Sequence, residues 1–240
     1  MRVSGKHVPV LLLAAVVLIL GAGAQEASAK KKQKEEIPLS VAKIYWEYNS
    51  SGPDLGVHVK LDGEDWKSMK IFHPNGKLLF SVEGKQGYKQ LGMTELFFEG
   101  AEPNLNDVDL EDLLDLFPEG EYEFEGLTVD GNEIEGEADF SHAIPDGPDV
   151  SDTGDVSGST LIIKWDPVDS PPDGFPDEEI TIVGYQVIVD SFEVTLPASA
   201  TQCTVPPEFV DSLESGEHVF EVLAIEESGN QSITEGTFTK

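Results

Sequence analysis

Beyond the first apolar run the chain carries four histidines, His58, His73, His142 and His218, and no two stand at His-x-His or His-x-x-x-His spacing. A zinc centre built on one strand or one helical turn needs such spacing, so none is expected. Asn104-Leu105-Asn106-Asp107-Val108-Asp109 opens like a calcium loop. It departs at its fifth and sixth positions, where such a loop carries Asp or Asn and then Gly. Asp54, Asp62, Glu64 and Asp65 could converge from neighbouring loops on a calcium ion, although acids of this kind also simply form turns. The sequence has no Gly-x-Ser-x-Gly elbow, no phosphate loop and no dinucleotide fingerprint. Cys203 lies in the alternating stretch Thr201-Gln202-Cys203-Thr204-Val205, where it reads as a small buried hydrophobe with no histidine nearby in sequence to act as its base. Arg2 is the only arginine, so a bidentate guanidinium clamp for phosphate or carboxylate is not on offer later in the chain. These residues predict no catalytic, cofactor-binding or metal-binding site. Trp46, Trp66, Tyr45 and Tyr88 would serve a glycan as stacking platforms if they faced solvent. Trp46 falls in the apolar phase of its strand, which argues for burial, and leaves Trp66 as the better platform.

Composition narrows the setting. Arg2 and Lys6 precede an apolar run from Val8 to Leu20, followed by Gly21-Ala22-Gly23-Ala24 and Ala27-Ser28-Ala29. That is the pattern of a cleavable export signal over residues 1–24, with Ala29 as a second cutting point. The run is short of the roughly 20 residues of a membrane span, and no second run of spanning length follows it. Lys30-Lys31-Lys32-Gln33-Lys34 sits within a charged leader over 25–37. The product is therefore expected outside the cytoplasm, secreted or periplasmic. A single cysteine makes an internal disulfide impossible, so each domain must rest on its apolar core. The 15 basic residues face 46 acids, a formal net charge of −31. Nucleic acid and anionic membrane surfaces repel such a chain.

The elements that must position any site are short and alternating. Leu55, Val57, Val59 and Leu61 share one face while His58 and Lys60 take the other. Ile44, Trp46 and Tyr48 alternate likewise, as do Leu78, Phe80 and Val82. Asp62-Gly63-Glu64-Asp65, His73-Pro74-Asn75-Gly76 and Asp130-Gly131 read as hairpin turns. Thr94–Glu99, Tyr122–Phe124 and Ile134–Phe140 supply further strands. One helical stripe interrupts them: Leu110, Leu113, Leu114 and Phe117 recur at i, i+3, i+4, i+7, with Asp107 or Asp109 placed to cap it. Ala143–Asp155 is rich in Pro, Gly and Asp and reads as a linker between a domain over 38–142 and another over 156–240.

In the second domain Leu161, Ile163 and Trp165 point one way, as do Tyr185, Val187 and Val189, and His218, Phe220, Val222 and Ala224. Such rows can fill the space of about 10 Å between two sheets. The run Trp165, Ile182-Val183-Gly184-Tyr185-Gln186-Val187 and Leu213…Gly216-x-His218-x-Phe220-x-Val222-x-Ala224 resembles the fibronectin type III family over residues 145–240. The family usually has tyrosine where His218 stands, pinning the preceding loop through its hydroxyl. The resemblance implies an immunoglobulin-like sandwich that binds, spaces and connects rather than catalyses. The expected architecture is all-β, two tandem β-sandwich domains. The expected role is a non-catalytic exported binding or spacer protein, in contact with a protein or a cell-envelope component. A carbohydrate-binding accessory protein is the alternative, and a calcium-dependent binding domain a further one.

Overall fold

Alternation of apolar and polar residues sets nearly every strand. The structure, a computed structural model, describes residues 35–151, 156 and 158–240. The expected export signal, its cleavage after Ala24 or Ala29, and the Lys30–Lys34 cluster lie outside the described residues. In the first half, seven strands and two short helices run in the order β1 (Glu36–Pro38), β2 (Val41–Asn49), β3 (Asp54–Phe72), β4 (Leu78–Glu83), α1 (Gly87–Leu91), β5 (Met93–Glu99), α2 (Leu110–Leu116), β6 (Gly120–Thr128) and β7 (Glu133–Phe140). The second half adds β8 (Leu161–Lys164), β9 (Ile182–Val189), β10 (Phe192–Pro197), β11 (Gln202–Val205), α3 (Pro207–Ser212), β12 (Glu217–Glu226) and β13 (Gln231–Thr239). The fold is all-β, with three short helices among the described residues on sandwich-like cores.

The second half follows its alternation closely. β8 pairs with β11, and β10–β9–β12–β13 form the facing sheet, all antiparallel. Between them Leu161, Ile163, Trp165, Tyr185, Val187, Val189, Phe220, Val222 and Ala224 make one buried core. This is the two-sheet arrangement that the fibronectin resemblance implies. Cys203 is buried in β11, where burial pushes its thiol pKa up and keeps it a packing residue.

In the first half β3 is longer than expected. Asp62-Gly63-Glu64-Asp65 is not a hairpin but the middle of this one strand, and the register shifts there. The Asp-Gly pair makes a turn only where the glycine takes positive φ, and Gly63 does not. Instead the Asp62 carbonyl accepts from Ser40 and the Asp65 carbonyl from Val129, so the backbone passes through without folding back. Before this point β3 lies between β2 and β5; after it, between β4 and β6. Both stretches feed one core containing Trp46, Leu55, Val59, Leu61, Met69, Ile71, Tyr122, Phe124 and Phe140. The other two turns form as their residues dictate, with Gly76 at φ 75° and Gly131 at φ 87°. Leu110, Leu113, Leu114 and Phe117 of the α2 stripe pack on the core. Asp109 occupies the N-cap position of α2 without a side-chain hydrogen bond to it.

Two corners are built alike. A short helix, then a glycine at φ 132° (Gly120) or 150° (Gly216), leads into β6 and β12. Tyr122 donates its hydroxyl to the Pro118 carbonyl at 3.1 Å, four residues back. His218 does the same with Nε2, to the Glu214 carbonyl at 2.8 Å. The imidazole thus takes over the tyrosine's task, and the fold keeps its corner.

Over residues 143–150 of the expected linker, much of the backbone is packed. Ile144 is fully buried, and β13 pairs in parallel with β2, Gln231 opposite Glu47 and Ile233 opposite Asn49. Asn230 is buried at the head of β13. Its amide donates to the carbonyls of Ser141 (2.9 Å) and Ala143 (3.0 Å), and its oxygen accepts from the Trp46 backbone N–H (2.8 Å). The Ser232 hydroxyl bonds the Pro145 carbonyl, and Phe175 packs its ring 4.9 Å from that of Tyr48. Proline and glycine mark 143–150 as irregular. The side chains of Asn230 and Ser232 supply hydrogen bonds that irregular backbone needs before it can be buried.

Candidate functional site

The aromatic platforms proposed for a glycan are mostly not at the surface. Trp46 and Trp66 are fully enclosed, Trp66 because the strand it was expected to precede is the one it belongs to. Tyr45 is half-buried, with its phenol pushed up to about 12 by burial and by the nearby carboxylates of Glu47 and Glu99. Tyr88 alone stands in solvent, on α1 beside the exposed Leu91. The acids proposed for calcium do not come together. Asp54 and Asp62 are eight residues apart on β3, about 27 Å at a strand rise of roughly 3.4 Å per residue. In the near-calcium motif, the Asn104 side chain accepts from the Asn106 backbone at 3.0 Å and so shapes a turn.

An apolar opening of about 390 Å³ lies in the first half. Its walls come from both stretches of β3 (Leu55, Val57, Val59, Ile71), from β4 (Phe80), β5 (Phe98) and α2 (Leu113). Phe80 and Phe98 stack at 4.7 Å to form one side. Trp46 also lines the opening, and its indole N–H is buried without a hydrogen-bond partner. Leu79 and Leu116 line it as well, and Leu116 is 63% exposed. The loop after β5 contributes Gly100, Ala101 and Pro103. The α2 stripe accounts for this geometry. Leu113 turns inward, while Leu116 falls outside the i, i+3, i+4, i+7 face and is left exposed beside the opening.

The same loop sends Glu102 to the outer face of the sheet. There Tyr45 and Glu47 of β2, His58 of β3 and Glu99 of β5 are neighbours by register, Tyr45 and Glu99 each directly opposite His58. The His58 Nε2 lies 2.9 Å from Glu102 Oε1, and its Nδ1 lies 3.8 Å from Glu47 Oε2. Burial pushes the Glu47 carboxyl up; His58 and the hydrogen bond from the Gln231 amide pull it the other way. His58 was expected to share an outward face with Lys60. The Tyr45 ring at 5.3 Å, the Phe97 ring at 6.0 Å and Glu102 cover it. Among the described residues Glu47, His58 and Glu102 form a group whose ligand atoms all lie within 4.8 Å of one another. Spacing rules miss it because its members sit on two strands and a loop. The one local signal is Gly56, opposite Glu47: a Cβ there would lie 2.4 Å from the Glu102 Cγ, so only glycine lets that side chain cross the strand.

No family model and no curated protein matches the chain. Among solved structures it is similar to the Clostridium perfringens spore cortex lytic enzyme SleM, at 19% identity over 40% of this chain and 28% of that one, with a TM-score of 0.30. The FN1–FN3 domains of chicken CNTN1 are 16% identical over 85% of this chain and 65% of theirs, with a TM-score of 0.30. Tp47, the 47-kilodalton lipoprotein of Treponema pallidum, is 10% identical over 85% of this chain and 51% of that one, with a TM-score of 0.31. The chain spans less than two thirds of the length of each. Likeness of this degree assigns neither family nor activity.

Proposed function

We propose that this chain is an exported, non-catalytic binding and spacer protein, in which a domain over 38–142 binds and a fibronectin-type domain over 156–240 supports it. The observation that carries the reading is the apolar opening between β4, β5 and α2. Its volume falls in the range of about 300–1,000 Å³ found for small-molecule sites. Apolar walls of this kind favour an apolar guest, whose surface they would remove from water. The guest that fits is an alkyl or acyl chain, which the apolar walls would bury. In an envelope setting such chains belong to lipids. The sheet pairing of β2 with β13 would pass a load from the binding half to the spacer half through backbone hydrogen bonds.

The reading is tested with a fluorescent fatty acid. Saturable binding to the full chain is expected, with displacement by an unlabelled long-chain fatty acid. Ala101→Trp, which fills the opening from its loop, should abolish binding while leaving the thermal midpoint within a few degrees. Non-saturating uptake, or equal binding by Ala101→Trp, would sink the reading. The glycan alternative is not favoured, because two of its four aromatics are enclosed in the core.

A further inference from the structure

We propose that Glu47, His58 and Glu102 form a binding site for a divalent transition-metal ion of the zinc class, on the sheet face opposite the apolar opening. The residues come from β2, β3 and the loop after β5, so only the folded first half assembles them.

Three observations carry the assignment. First, the donors are close: one imidazole nitrogen and two carboxylate oxygens lie within 4.8 Å of one another, and the His58–Glu102 edge is already 2.9 Å. That edge suits two ligands of one ion at bonds of about 2.0–2.2 Å, and the Glu47 carboxylate completes the group of donors. Second, two of the three donors are enclosed, while Glu102 stands at the solvent side. The His58 side chain is 3% exposed and that of Glu47 17%. Glu99 stands directly opposite His58 and adds a further negative charge. Lys60, the cation on the same face, is paired instead with Glu95 at 3.5 Å. Carboxylates collected around one imidazole, with no lysine among them, are the setting in which buried charge is met by a metal. Third, the chain is shaped to hold the donors. Gly56 leaves the space through which Glu102 crosses β3, and the Gln231 amide, from the second half, holds the Glu47 carboxylate. Partners of this kind orient a metal's ligands.

The donor set chooses the ion. Calcium takes six to eight oxygen ligands, and magnesium keeps most of its water. One imidazole with two carboxylates suits zinc and its first-row neighbours, with a position left for water or for a group on a partner. Binding exchanges the hydrogen bond between His58 and Glu102 for two metal bonds and releases any proton shared there.

The test uses tag-free full chain stripped with a chelator. Zinc at hundredfold excess over its Kd should raise the thermal midpoint by about 5 °C or more, and calcium or magnesium at the same concentration should not. Cobalt, as a zinc substitute, should give visible d–d absorption bands of a bound ion. Glu102→Gln changes only a half-exposed loop side chain and should fold normally, yet lose both the zinc shift and the cobalt bands. His58→Gln should lose the bands as well. Absence of cobalt bands in the unaltered chain, a zinc shift no larger than that of magnesium, or bands that survive in Glu102→Gln would each overturn the proposal.

Discussion

His218 shows how one residue can replace another when geometry, not chemical identity, is what the fold requires. A corner entering a sandwich strand needs a flat ring that packs on the core and a polar tip that reaches the carbonyl four residues back. Tyr122 meets this need at the entry to β6 and His218 at the entry to β12. The His218 ring also lies against that of Phe238, 5.3 Å between centroids and 18° from parallel. His218 Nδ1 also lies 3.2 Å from Asp190 Oδ2, a contact that both variants lose, so His218→Tyr should be more stable than His218→Phe by about 1 kcal/mol. Denaturant midpoints of the two variants decide it; equal losses would mean that the hydrogen bond to Glu214 contributes nothing. The substitution was visible in the sequence as a departure from the fibronectin pattern, but its outcome was not. Gly120-Glu121-Tyr122-x-Phe124 repeats Gly216-Glu217-His218-x-Phe220 and would have marked both corners. The Glu47–His58–Glu102 cluster had no such signature. Its residues are 11 and 44 positions apart and meet only through strand register.

At the scale of elements, period-two alternation was enough to place Trp165, Val187 and Val222 in a common core, because both sheets of the second half have one buried and one open face. It was not enough for β3. A strand that changes partners halfway carries polar residues at the change, and those residues, Asp62 to Asp65, imitate a turn. A hairpin there would place Trp66 beside a loop, whereas in the continuous strand it is sealed in the core. Over residues 143–150, proline and glycine likewise report irregular backbone and not exposure. Asn230 makes the difference here, with three hydrogen bonds that no sequence rule reads across so many residues. Asn230→Ala leaves the Trp46 N–H and two carbonyls to find other partners in a buried site. At about 1–3 kcal/mol for a buried group left unsatisfied, the variant should lose at least ~2 kcal/mol. A loss below ~0.5 kcal/mol in denaturant unfolding would show that the two halves do not lean on this residue. An Asn230→Ala chain that melts in two steps, where the unaltered chain melts in one, would show that it also couples them.

For the molecule as a whole, the dominant force beyond its cores is its own charge, −31 by formal count. Like charges meet directly across strands. Glu221 faces Glu235 between β12 and β13, and burial, then Glu235, pushes the Glu221 carboxyl above its ordinary value. Glu135 is raised by its hydrogen bond and charge interaction with Glu36, across the β1–β7 pairing. Asp54 is raised as well, by burial and the carboxylates around it. Glu83 moves down, through Lys85. A carboxyl raised by folding binds more protons in the folded chain than in the unfolded one. Its stability contribution is therefore complete below the unfolded value near 4.5 and is lost as pH rises through the raised folded value. Most shifts have this sign, so stability should increase as pH falls from 7 towards 5, the reverse of a protein held by carboxylate–lysine pairs. Salt should act in the same direction at pH 7, because a Debye length of about 3 Å at 1 M screens repulsion that reaches across the surface at 0.01 M. Chelator-treated full chain should thus melt higher at pH 5 than at pH 7 in low salt, and the gap should narrow in high salt. Glu221→Gln should raise the midpoint at pH 7 and flatten the pH dependence. A midpoint that falls steadily from pH 7 to pH 5 would mean that the carboxylates stabilise this fold through partners, and that its acidity serves the structure and not only its solubility.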